Sequence, residues 1–274
     1  MSGSFDDQGR LITTNGAIVT CLGKKRSGKS VVAMMLVKSF PGDVIVIDVA
    51  GDDGPEGPGV VEWRGGVDEL PRRFPGHLRQ QQERIILRYI ADAGSSTFIE
   101  DMDAVVGVAM AHSSKERPAL LVVHEVGVLA QSGRVPPHTR RVLMHNRHRG
   151  LCAVFCGPRP ITTDPLVVAQ ADVVYCFRMP GDADRKRLVD NIGWDFASFT
   201  EANESLADHE MLRYDANEPA PPDDAVEETR LRHLPALPED EVRRVLDWAH
   251  HVPGPGRRPH DPSRALLTAL HRTR

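Results

Sequence analysis

Several things this chain has little of narrow what it can be. Aromatic residues make up 5% of its 274 residues, and cysteine occurs only 4 times. Cys21, Cys152, Cys156 and Cys176 lie among Val, Ala and Phe, with no CxxC spacing and no adjacent His cluster. That excludes a disulfide scaffold and a zinc site, and the expectation is four buried, reduced core thiols. No apolar run approaches the ~18–20 residues that cross a bilayer. Met1-Ser-Gly-Ser-Phe-Asp-Asp has neither the basic start nor the apolar core of a signal peptide. The expected protein therefore has no membrane insertion and stays in the cytoplasm. Excess positive charge is also missing: the formal net charge is −4. Any nucleic-acid contact must then come from a local patch. There is no internal repeat.

Hydrophobic content of 41% and charged content of 26% are ordinary for a globular protein. The length suits one large α/β domain, or a core of about 200 residues with an appendage. Within it, Gly23-Lys24-Lys25-Arg26-Ser27-Gly28-Lys29-Ser30 fits the phosphate-loop pattern GxxxxGK[ST] at every fixed position. The β-branched run Ala17–Leu22 precedes it, and Val31, Val32, Met34, Met35, Leu36 and Val37 follow at helical spacing. Strand, glycine-rich turn and helix in that order turn the pattern into a mechanism. Glycines let the backbone curl until the N–H groups from Gly23 to Val31 and the helix N-terminus face a polyphosphate. Lys29 is placed for the β/γ-phosphates and the Ser30 hydroxyl for Mg²⁺, so ATP and Mg²⁺ are the expected cofactors. Lys24, Lys25 and Arg26 make the loop very basic, and both a solvent-facing role and transition-state stabilisation in cis fit them.

The remaining pattern predicts strands at 44–49, 60–63 (an edge), 84–90, 119–125, 151–156 and 172–178. Helices are predicted at 98–111, 138–149, 165–171 and 182–192. The nearly continuous β-branched strands are of the kind buried on both faces. Strands alternating with helices from 17 to 178 imply a three-layer, RecA-like α/β domain around a mainly parallel sheet. Residues 51–59 read as a loop rich in Gly, Pro and acid. The expected organisation is a lead-in or small hairpin over 1–16, an ATPase domain over 17–217, an acidic Pro-rich linker over 218–230, and a C-terminal extension over 231–274. That extension starts with an amphipathic helix at 238–251, presenting Val242, Val245, Leu246 and Trp248, and ends in an Arg-rich tail with a weak terminal helix.

A phosphate-loop enzyme needs an apolar strand ending in acid beside the loop. Ala119–Glu125 has that form, but ends His124-Glu125 where Asp-Glu is usual. Glu125 is the candidate for positioning or deprotonating the attacking water, against the alternative of a mere strand cap. His124 lacks the charge that favours Mg²⁺ and can act only indirectly, through a water. Either Ser30 and the phosphates hold the metal largely alone, or another acid such as Asp48 helps. From Val126 to Thr163 there is no Asp or Glu, yet Arg134, Arg140, Arg141, Arg147, Arg149 and Arg159 all fall there. Such a patch suits DNA phosphates, or an arginine finger reaching a neighbouring subunit's triphosphate; a solvated helix face accounts equally well for any one of them.

GKKRSGKS at 23–30, LLVVHEVGVLA at 120–130 and RHRGLCAVFCGPRPITTDPLVVAQADVVYCFRM at 147–179, in that order, resemble the HerA/FtsK superfamily of ring-forming DNA-pumping ATPases over residues 15–195. The small members with little beyond the motor core are the genome-packaging ATPases of membrane-containing and poxvirus-like viruses. The resemblance implies a hexamer or other ring with nucleotide between subunits, and double-stranded DNA driven through the pore. Arg147 and Arg149 become candidate fingers in trans. A portal, capsid or membrane-vertex protein becomes a docking partner, and host cytoplasm or a virion vertex the location. His124 departs from the family's Asp, and Pro158 stands where its sensor Gln belongs, while Arg159 and Pro160 keep the rest of that motif. Three alternatives stay open: a nucleotide-binding assembly or switch protein with weak or no hydrolysis, an export or conjugation ATPase of the same superfamily, and a small-molecule kinase.

Overall fold

The computed structural model describes residues 16–64, 67, 70, 84–216 and 231–254. The lead-in hairpin, the acidic linker and the Arg-rich tail with its terminal helix lie outside the described residues.

The β-branched runs form the middle of a nine-stranded sheet. Its members are β1 (Ile18–Leu22), β2 (Asp43–Asp48), β3 (Val60–Trp63), β4 (Ile86–Ile90), β5 (Ala119–Val123), β6 (Leu151–Gly157), β7 (Val173–Phe177), β8 (Met211–Asp215) and β9 (Leu231–Leu234). The order across the sheet is β3-β4-β2-β5-β6-β1-β7-β8-β9. Every pairing from β3 through to β7 is parallel, and β8 and β9 join antiparallel at the far edge. Residues of β1, β2, β5, β6 and β7 are buried throughout, as expected of strands covered on both faces. Val60–Trp63 is an edge strand, as its short sequence predicts, and none of its residues is fully buried.

Alternation along β1 divides the core in two. Ile18 and Leu22 join one apolar cluster, and Val19 and Cys21 the other. On the second face lies α1 (Lys29–Ser39), buried at seven of its 11 residues, with the C-terminal helix α8 (Glu239–His250) beside it through Val245, Ala249 and Trp248. The first face is covered by α2 (Phe98–His112), α3 (Val126–Leu129), α4 (Pro137–His145), α5 (Pro165–Ala169), α6 (Asp182–Ile192) and α7 (Phe196–Ser205). This is the three-layer α/β fold of RecA-like phosphate-loop NTPases. All four cysteines are free and buried in strands.

Several elements depart from expectation, the short helix α3 among them. Helix 138–149 stops at His145 and ends in a 3₁₀ turn, Asn146–Arg149, because the buried Asn146 amide donates to the carbonyls of Gly16 (2.8 Å) and Leu151 (3.2 Å). Helix α7 and strands β8 and β9 have no counterpart in the sequence pattern. With β9 in the sheet and α8 against α1, residues 231–254 belong to the same layered body as the phosphate loop.

Candidate functional site

The crevice of a parallel α/β sheet opens outside the carboxyl ends of its strands, where strand order reverses. Here that point is β1, between β6 and β7, and it delivers Gly23–Ser30 into the crevice. Gly23 (φ 152°) and Gly28 (φ 110°) carry backbone conformations closed to most side chains. A Cβ on Gly23 would meet Phe177 Cβ at 2.5 Å, so the loop lies against Phe177 because it has no side chain there. Lys24, Lys25 and Arg26 face solvent, with Lys24 ion-paired to Asp208 at 3.3 Å.

Lys29 is buried, and its ammonium donates to the carbonyls of Gly23 (2.9 Å) and Lys24 (2.8 Å). The side chain therefore arches back over its own loop, toward the place a phosphate chain would take. Burial pushes its pKa below the ordinary lysine value, while the nearby Cys156, Glu125, Cys21 and Asp53 pull it back up. Ser27 Oγ is buried without a hydrogen-bond partner. An orphaned buried hydroxyl within a loop of exposed N–H donors is what a polar ligand would satisfy.

Across β6 from the loop, His124 and Glu125 directly follow β5, which stops at Val123, short of the predicted 125. Glu125 is half-buried, close enough for its charge to act on Lys29, and sits in the left-handed region at φ 57°, ψ 48°. His124 is 2% exposed, its Nε2 has no partner, and burial drives its pKa below the ordinary value, keeping the ring neutral. The structure thus brings Lys29, Ser30, His124 and Glu125 to one end of the sheet.

Asp48 is not the helping acid. It is 0% exposed, and its carboxylate is taken by the N–H groups of Gly51 and Gly54 and by Arg88. The carboxylate that reaches the loop is Asp53, whose Oδ1 accepts from Ser30 Oγ at 3.0 Å. Sequence reasoning missed it; the acidic character of the 51–59 loop was the only signal. Ser30 and Asp53 offer the hard oxygen donors that suit Mg²⁺. Among the described residues no group of three or more His, Cys, Asp and Glu can hold a metal. A cation here would need phosphate oxygens as well.

Arg147 and Arg149 lie elsewhere. They precede β6, at the amino ends of the parallel strands, and Arg147 pairs with the buried Asp172. Within one chain neither reaches the loop. Arg159 is at the loop end but pairs with Asp184 at 2.9 Å. Arg134, Arg140, Arg141 and Arg149 are exposed.

Beside the loop a cavity of about 450 Å³ runs between Gly28 and Val31 on one side and Met211, Leu237, Val242 and Leu246 on the other. Its floor is Phe177, and His209 closes one end, its Nδ1 3.3 Å from the Ser27 carbonyl oxygen. Its lining is polar at the loop, while α8 contributes apolar Val242 and Leu246 together with Glu239.

A layered parallel sheet with a glycine loop, an α1 lysine and an acid just past a strand one removed from β1 defines a phosphate-loop NTPase fold. Solved structures share it. The genome packaging NTPase B204 from Sulfolobus turreted icosahedral virus 2, in complex with ATP-gammaS, aligns with TM-score 0.58 at 19% identity over 81% of this chain and 98% of that one. Its AMPPCP complex aligns with TM-score 0.59 at 19% identity over 82% and 100%. The DNA-packaging ATPase B204 from Sulfolobus turreted icosahedral virus gives 0.53 at 20% identity over 81% and 98%. At such identities the likeness establishes the fold alone. No protein-family model matches the chain, and no curated protein matches it in sequence. No helix among the described residues is long and apolar enough to cross a membrane.

Proposed function

We propose that the chain is an ATP-hydrolysing motor that moves double-stranded DNA, of the kind that packages a viral genome. The observation that carries this reading is the convergence of Lys29, Ser30 and Glu125 at the carboxyl ends of β1 and β5, next to a cavity of about 450 Å³, roomy enough to admit a base. The backbone N–H groups of the loop and the Lys29 ammonium hold the triphosphate oxygens. The base enters the apolar cavity, between Val31 and Leu246. Mg²⁺, when bound, neutralises charge on the phosphates. Glu125 orients the attacking water and takes its proton.

Arg147 and Arg149, at the opposite end of the sheet, can serve only a neighbouring subunit's triphosphate, which fits a ring. Exposed Arg134, Arg140 and Arg141 supply the local basic surface that the chain's acidic balance otherwise lacks, and DNA phosphates are their natural partner. The matched structures are described as genome-packaging and DNA-packaging proteins, and two of them hold ATP analogues. A host cytoplasm or virion-vertex location, with a portal or capsid partner, follows from the same reading.

Displacement of a third strand from triplex DNA tests it. The expected result is displacement that requires ATP and is abolished in Lys29→Ala and Glu125→Gln. The second reading, a nucleotide-dependent assembly switch, is favoured by one feature, the buried neutral His124 in place of an acid. It predicts ATP binding without displacement.

A further inference from the structure

A divalent cation at a phosphate loop is held by the loop hydroxyl, the phosphates and a protein carboxylate, because a hard cation needs anionic oxygen. In this chain the strand that should bring the carboxylate is followed by His124. The carboxylate next to Ser30 comes instead from the loop that follows β2, and the fold goes to some length to hold it there.

Strand β2 ends at Asp48, one half of a buried ion pair with Arg88 of β4, which is 1% exposed. Asp48 Oδ1 accepts from Gly51 N–H at 2.9 Å, and Oδ2 from Gly54 N–H at 3.0 Å. Arg88 donates back to the Gly51 carbonyl at 2.6 Å and to Glu56 at 2.9 Å. Both flanks of Asp53 are therefore pinned to one buried pair. A Cβ at Gly54 would stand 2.5 Å from Arg88 Nε, so the turn closes this tightly only with glycine. From that clamp Asp53 projects to Ser30 Oγ.

A second observation is independent of the loop. His124 Nε2 is buried and unpartnered within electrostatic reach of Asp53 and Lys29. Buried polar atoms are rarely left so unless a ligand or its water completes them.

We propose that Asp53 is the protein carboxylate on the divalent cation of the triphosphate site, replacing the acid that His124 displaces. His124, through its unpartnered Nε2, faces the cation's hydration water. The inference rests on the triphosphate reading of the same loop.

The test is equilibrium binding of ATPγS in Mg²⁺ and in excess chelator, with Mn²⁺ paramagnetic resonance as a direct count of bound cation. The proteins are the native chain, Asp53→Asn, and Asp52→Asn, which removes the same charge from the exposed neighbouring position. Asp53→Asn is expected to lose roughly tenfold or more of cation affinity at the nucleotide-loaded site. It should keep the native affinity in chelator, and Asp52→Asn should match the native chain throughout. An undiminished Mg²⁺ gain in Asp53→Asn, or an equal loss in Asp52→Asn, overturns the assignment of Asp53. A native chain that binds no ATPγS in either condition overturns the triphosphate reading itself.

Discussion

Glu125 carries a left-handed backbone at φ 57°, a conformation that costs a non-glycine residue about 1–3 kcal/mol. Nothing in the packing of β5 requires a carboxylate there, since the next turn is capped by backbone alone. A strained acid beside Lys29 is what a catalytic position looks like. Glu125→Gly should therefore raise stability by about 1 kcal/mol in chemical denaturation while ATP turnover is lost. A fall in stability would make Glu125 a structural strand end. The site residues differ in how legible they are. The loop from Gly23 to Ser30 is contiguous, so spacing alone locates it. Asp53 reaches Ser30 only because Arg88 and Asp48, 40 residues apart, form a buried pair that shapes the turn, and a single sequence carries no mark of that pairing.

At the scale of elements, α4 shows how the basic surface is built. Its N-terminus is capped by the buried Asp103 of α2, which accepts from the N–H groups of His138 (3.0 Å) and Thr139 (2.7 Å). Thr139, Val142 and Leu143 turn inward, and this leaves Arg140, Arg141 and Met144 outside. Each DNA phosphate that a protein neutralises adds about 0.9 to the steepness with which binding falls with salt. Arg140→Ala/Arg141→Ala should therefore weaken duplex binding and flatten its dependence on salt, with ATPγS affinity unchanged. A salt slope equal to that of the native chain would remove α4 from the DNA surface. Elements are readable in proportion to their apolar regularity. Strands such as Val44–Ile47 are continuous β-branched runs, whereas β8 hides Arg213 in its middle, buried by an ion pair with Asp215. Helix α7 is rich in Ser, Thr and Asn, weak helix formers, and starts on an Asp195 cap whose carboxylate accepts from Ser198 N–H at 2.7 Å.

For the whole molecule, the placement of the C-terminal segment matters most. Sequence composition sets 231–274 apart as an extension, yet β9 completes the sheet and α8 lines the cavity at the phosphate loop. Val242 and Leu246 read as the core face of an appended helix; they border the space proposed for the base. The same architecture sends Arg147 and Arg149 to the far end of the sheet, so any part they take in catalysis needs a second subunit. A motor of this kind depends on one coupling, between triphosphate at β1 and DNA on the arginine surface. Phosphate release from ATP and Mg²⁺, with and without duplex DNA, measures that coupling in the native chain, Lys29→Ala and Glu125→Gln. The prediction is turnover that rises with duplex DNA and disappears in both variants. A native chain that binds ATP yet releases no phosphate, or releases it at a rate indifferent to DNA, would contradict the motor.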